Sequence, residues 1–232
     1  MIYEEIVLRA ERPMVNESES FDEQTEIAYK FFVSMFELPE MFHPKYIPAY
    51  SKAGIREMDW NKDNFCKMFN RRKERIKPEG GNSIFFISTR DDSINTQIWV
   101  TTGARGPLFR DYALIDFRSP DVTEYRFDEI LVKVAKSYRD SYGYILVPSM
   151  FGDDRFHCHG LKKDNTLSFI HWINYFPEYL LKTIGETRIK KFARKHPGVT
   201  YKDGMLRLCD PILDLALPEH LKLFNEAQEL LK

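Results

Sequence analysis

Cysteine is scarce in this chain of 232 residues, with only Cys66, Cys158 and Cys209. An odd number at wide spacing argues against a disulfide framework and against a zinc ribbon. Long apolar runs are missing, so no segment is expected to span a bilayer. The opening stretch, M-I-Y-E-E-I-V-L-R-A, carries acids where the apolar centre of a secretory signal would be, and no such signal is expected. Together these features imply a reducing, cytoplasmic setting. Net charge is also nearly absent, at −1, so no global field selects a nucleic acid or a membrane as partner. No G-x-S-x-G elbow, P-loop or H-E-x-x-H spacing occurs. No zinc-finger, homeodomain or ribonucleoprotein motif occurs either. No internal repeat or low-complexity segment is present.

Apolar and aromatic residues, in contrast, are plentiful: 43% of the chain is hydrophobic and 14% aromatic, which is enough for a sizeable core and argues against disorder. The densest aromatic stretch runs from Ser168 to Phe176, S-F-I-H-W-I-N-Y-F. Its side chains are too apolar to share water, so it is expected to be a central strand, starting near Thr166, or the base of the core. Charge is uneven along the chain. Residues 1–40 hold ten acids and three bases, and the remainder carries a net +6.

The hydrophobic pattern predicts the elements in order. Ile2 to Arg9 reads as a strand. Ser20 and Glu23 have capping-box spacing at the start of a helix that ends at Leu38-Pro39. Residues 39–60, with three prolines, are expected to wander over the surface. Asn61 caps a second helix, Lys62 to Ile76, with Phe65, Met68 and Phe69 inward and a basic outer face. Ser83–Thr89 and Thr96–Thr102 read as a hairpin, followed by a strand at Tyr112–Phe117. Asp121 to Ser141 reads as a helix broken by Tyr142-Gly143, with a short strand at Tyr144–Val147 after it. Met150 to Asn165 reads as an irregular polar loop. Pro177–Thr183 reads as a helical turn, and Thr187–His196 as a basic stretch. A second hairpin turns at Lys202-Asp203-Gly204. A last helix begins at Leu217-Pro218, with Leu221, Phe224, Ala227, Leu230 and Leu231 at helical spacing. Strands outnumber the helices between them, so the expected class is α+β: one domain, an antiparallel or mixed sheet with helices packed on it.

Three chemistries are weighed from the residues. On an extended strand His157 and His159 point the same way, and with Asp153 or Asp154 they have the donors of a divalent-metal site, as in a metal-dependent hydrolase. Turn formers crowd that stretch, and a polar loop is the plainer reading. The pair Asp91-Asp92 sits at a hairpin tip, where acids are common for turn reasons. Arg71–Lys77 and Arg188–Lys195 are basic clusters of the kind a nucleic-acid-binding module uses. Both also read as solvated helix faces. Thr101 to Pro107 contains glycine but reads as a turn after a strand.

The order of features resembles the immunity protein 52 family of bacterial polymorphic toxin systems. The likeness is clearest in Trp172, Tyr175 and Phe176, then Gly185, Gly204-Met205-Leu206 and Pro218-Glu219-His220-Leu221. Arg9, Glu26-Ile27-Ala28, Trp60 and Tyr142-Gly143 are in keeping upstream, although the family's tryptophan-glycine pair is here Tyr142-Gly143. Met150–Asn165 looks like an added loop. The resemblance implies a protein that is not an enzyme and needs no cofactor. Its partner would be the catalytic domain of a cognate toxin encoded beside it, associated with a restriction-endonuclease-like fold and type VI-like secretion. Neither nucleic acid nor membrane is implied as partner. An inhibitor of a nuclease gains from carboxylates aimed at the enzyme's positive groove. Glu17, Glu19, Asp22 and Glu23 are therefore the first candidates for the contact, and Asp91, Asp92, Asp153 and Asp154 the second. Acids near a helix start are also favoured by capping and the helix dipole.

Overall fold

A computed structural model describes residues 4–13, 20–48, 55–73, 82–89, 95–103, 111–119, 125–146, 160–210 and 212–231. β1 (Glu4–Glu11) lies inside the sheet, paired antiparallel with β6 (Tyr112–Ser119) on one side and β7 (Tyr142–Leu146) on the other. From β6 the sheet continues through β5 (Asn95–Thr102) and β4 (Asn82–Ile87) to β2 (Tyr46–Pro48) and β3 (Ile55–Glu57). From β7 it continues through β8 (Ile173–Tyr175) and β10 (Met205–Arg207) to β9 (Thr200–Lys202). Every pairing is antiparallel, giving ten strands among the described residues. The class is α+β, as the sequence predicts.

Side chains alternate across the strands. Ile6, Leu8 and Ala10 on β1, Ile98 and Val100 on β5, and Ala113, Ile115 and Phe117 on β6 are all buried on one face. Onto that face pack α1 (Phe21–Ser34), α2 (Lys62–Lys73) and α3 (Phe127–Ser137). α1 starts as predicted: the Glu23 N–H donates to Ser20 Oγ, and the Glu23 carboxylate accepts from the Ser20 N–H at 2.8 Å. α2 is capped by Asn61, whose Oδ1 accepts from the Asn64 N–H at 2.9 Å. Beyond the sheet's β8 side follow α4 (Glu178–Ile184), α5 (Glu186–Lys195) and α6 (Pro218–Gln228).

Several elements differ from the sequence expectation, each for a local reason. The third helix begins at Phe127, not near Asp121, and Tyr125 and Arg126 precede it without helical form. The break after α3 falls at Arg139 and Asp140, both in the left-handed region at φ 58° and 48°, so Tyr142-Gly143 opens β7 instead of ending a helix. Thr166–Trp172 is buried for the most part but is not strand. Its start pairs only with residues 160–162, through an isolated bridge between Leu161 and Leu167, and further on the Ile170 N–H and C=O meet the Gln228 amide instead of a strand. Only Ile173–Tyr175 joins the sheet. Residues 39–60 do more than cross the surface: the described ones form a short 3₁₀ turn and two strands, with Phe42, Ile47 and Met58 buried. The basic stretch at Thr187–His196 is a full helix, α5, with Ile189 and Phe192 inward. On α6 Ala227 is buried, but Leu221 is 43% exposed, so the predicted apolar stripe is only partly used.

Candidate functional site

The other face of the central strands carries Arg9 and Glu11 on β1, Tyr142 and Tyr144 on β7 and Asn174 on β8, all fully or almost fully buried. Alternation alone reads Val7, Arg9 and Glu11 as a solvent-facing row, which is why the sequence hides them. Residues 160–172 cover them. Arg9 Nε lies 3.0 Å from Glu11 Oε1, and the guanidinium sits 4.4 Å over the Tyr112 ring. The Tyr144 hydroxyl donates to Glu11 Oε1 at 2.6 Å and accepts from the Gly160 N–H at 3.1 Å. The Leu161 N–H donates to Glu11 Oε2 at 3.0 Å. Both carboxylate oxygens are thus engaged in fixing the covering segment to the sheet.

Gly160 lies flat against the two tyrosines. A Cβ there would sit 2.5 Å from Tyr142 Cε1 and collide with the Tyr144 ring as well. Tyr142 donates to Asn174 Oδ1 at 2.8 Å, and that same oxygen accepts from the His171 N–H. The Asn174 amide donates back to the His171 carbonyl at 2.8 Å. The His171 ring stacks on Tyr144 at 4.2 Å between centroids. Burial first, and then the Arg9 charge, push His171 down to about 3 despite the opposing pull of Glu11. It is therefore neutral near pH 7. Burial and the Glu11 charge push Tyr142 well up, and burial pushes Tyr144 well up, so both keep their protons and act as donors. The cluster's chemistry is that of a hydrogen-bonded strut.

The predicted site residues fall elsewhere. Asp22 and Glu23 are exposed in the first turn of α1, and the hydrogen bonds from Ser20 hold the Glu23 carboxyl below its usual range. Glu17, Glu19, Asp91, Asp92, Asp153, Asp154, His157 and His159 lie outside the described residues. Among the described residues no group of three or more His, Cys, Asp and Glu is placed to hold a metal ion. α1 starts at the Glu11 end of β1, where Gln24 packs on Gly103 at the end of β5. The ends of β4 and β5 that flank Asp91-Asp92 lie at the other end, since Asn95 is opposite Arg118, itself opposite Glu5. β1 spans about 24 Å, which separates the two regions.

Of the residues quoted for the resemblance, those on β7, β8 and β10 come together, while Trp60 packs among Phe32, Phe65 and Phe86. Tyr142 stacks on Phe176 at 5.8 Å, Gly143 is opposite Tyr175, and Tyr175 is opposite Met205. The Phe176 N–H donates to the Gly204 carbonyl at 2.8 Å. Trp172 donates from Nε1 to the Cys209 carbonyl, and Trp60 to that of Pro44. No protein-family model matches the chain, and no curated protein matches it. Among the described residues no helix is long and apolar enough to cross a membrane.

Proposed function

We propose that this chain is an immunity protein that acts by binding, without catalysis or cofactor. It would neutralise a cognate bacterial toxin in the cytoplasm by covering the toxin's active site or substrate groove. The toxin would be a nuclease of restriction-endonuclease-like fold, delivered by contact-dependent, type VI-like secretion. The observation that supports the reading is the convergence just described. Tyr142-Gly143, Trp172, Tyr175, Phe176 and Gly204-Met205 are spread over about a quarter of the chain, yet they pack as one block across β7, β8 and β10. That these positions pack as one unit supports the resemblance, although Tyr142-Gly143 stands where the family has a tryptophan-glycine pair. The same burial makes those residues scaffold, so the contact with the toxin falls to exposed groups. Asp22 and Glu23 are exposed and belong to the acid-rich first 40 residues. Carboxylates there would meet the positive groove of a nuclease.

The test is co-purification with the toxin domain encoded next to this chain, followed by inhibition of that domain's activity. A stable complex that abolishes toxin activity is the expected result. Failure of any neighbouring toxin domain to bind refutes the reading.

A further inference from the structure

Residues 178–202 hold seven bases (Lys182, Arg188, Lys190, Lys191, Arg194, Lys195 and Lys202) and two acids (Glu178 and Glu186), all nine exposed. This is a local net +5 on a chain whose total is −1. Five of the bases lie on α5, whose ten residues bury Ile189 and Phe192 and turn every cation outward. Three of the seven are answered by carboxylates: Lys182 by Glu178, Lys190 by Glu186 and Lys195 by Glu226. Arg188 reaches the carbonyls of Ile184 and Glu229 and makes no ion pair among the described residues. Lys191, Arg194 and Lys202 make no ion pair among the described residues. β9 packs beside α5 through Tyr201, whose hydroxyl donates to Glu186, so Lys202 points to the opposite side of the sheet.

We propose that the exposed face of α5 binds the phosphate backbone of a nucleic acid, without reading sequence. This goes beyond the toxin-binding reading and does not rest on it. Two observations favour phosphate over an acidic protein. The face presents Thr187 and Gly198 among its cations but no fully exposed aromatic or large aliphatic side chain, Tyr201 being half-buried with its hydroxyl on Glu186. Protein interfaces are anchored by such groups, whereas phosphate contacts need only cations, hydroxyls and backbone N–H groups. The cation arrangement also fits. Arg188, Lys191 and Arg194 recur every three residues along α5, about 4.5 Å of axis apart, and long side chains at that spacing can each reach a separate phosphate.

The test uses the full chain with a fluorescent DNA duplex and a single strand of unrelated sequences, titrated at about 50 mM and about 200 mM salt. Engagement of three or four phosphates predicts an affinity loss of roughly 50- to 150-fold between those conditions for the duplex. Lys191→Glu with Arg194→Glu should weaken binding at least tenfold and flatten the salt slope by about two phosphates. The control, Lys136→Glu with Lys163→Glu, changes net charge equally at exposed positions elsewhere and should bind as the parent does. Thermal midpoints of both variants should match the parent. No binding at the lower salt overturns the proposal, as does equal weakening by both double variants. Polyglutamate binding as tightly as DNA also overturns it, and would mark the face as a dock for acidic protein.

Discussion

The Glu11 carboxylate accepts a hydrogen bond from the backbone N–H of Leu161, 150 residues further along the chain, at 3.0 Å. With Arg9 and Tyr144 on its other oxygen, this one buried side chain ties β1, β7 and the segment that covers them. Glu11→Ala leaves a cation and two donors in the interior without that acceptor. The expected loss is about 3–5 kcal/mol, as for other broken buried pairs. Glu11→Gln keeps an acceptor and should lose less, roughly 1–3 kcal/mol. Urea denaturation measures both, and an alanine variant as stable as the parent contradicts the strut.

Trp172 is buried against the base of the core and donates to the Cys209 carbonyl at 2.9 Å. Trp172→Ala should cost about 3–5 kcal/mol, a large share of a domain's stability. A sharply lowered melting temperature or insoluble protein is the expected outcome. An unchanged melting temperature would contradict the burial.

His171 predicts how stability changes with acid. Its folded pKa is pushed down to about 3 from the usual 6.5. Between those values the unfolded chain takes up a proton that the folded chain refuses. Stability is therefore complete above about 6.5 and falls as pH drops toward 3, by up to about 4–5 kcal/mol at the foot of the window. His171→Phe keeps a ring on Tyr144 and removes the proton site. Urea midpoints from pH 7 downward should fall less steeply in the variant, and identical slopes would count against the assignment.

The acidic contact has its own test. Glu23 caps α1 as well as carrying charge, so Glu23→Gln separates the roles because glutamine still fills a capping box. A Glu17→Lys, Glu19→Lys, Glu23→Gln variant should associate with the toxin domain more slowly, most visibly at low salt, with an unchanged melting temperature. Asp91→Lys with Asp92→Lys should be tested alone, because its flanking strand ends lie across the sheet from α1. Association as fast as the parent's in the first variant would move the interface elsewhere.

Much of the fold was legible because its signals are local. The Ser20–Glu23 box, the Asn61 cap and the two hairpins are set by neighbours in sequence, and all are where the pattern puts them. Composition marks the aromatic stretch at 168–176 as a central strand or the base of the core; most of it is buried, Phe169 is 42% exposed, and only Ile173–Tyr175 is strand. Burial follows from composition, but pairing depends on where distant partners such as Gln228 spend their hydrogen bonds. The strut was hidden for a related reason. Arg9 and Glu11 alternate like a solvent face, and nothing near them announces the Tyr142–Tyr144 pair or the segment that covers it. Exposure of Asp22 and Glu23 was the legible part of the proposed contact. The other acids named for it lie outside the described residues.

The central place of β1 has a consequence during synthesis. β1 has both of its neighbours far ahead of it in the chain, in β6 and β7, and its carboxylate waits for Leu161. At about 5–20 residues per second that wait is roughly 8–30 s. Until β6 is complete at Ser119, which takes most of that interval, an alternating strand with a fully apolar row, Ile6, Leu8 and Ala10, lacks both of its sheet neighbours. The nascent protein is therefore most exposed to aggregation through β1, and slower translation between residues 12 and 119 would lengthen the exposure.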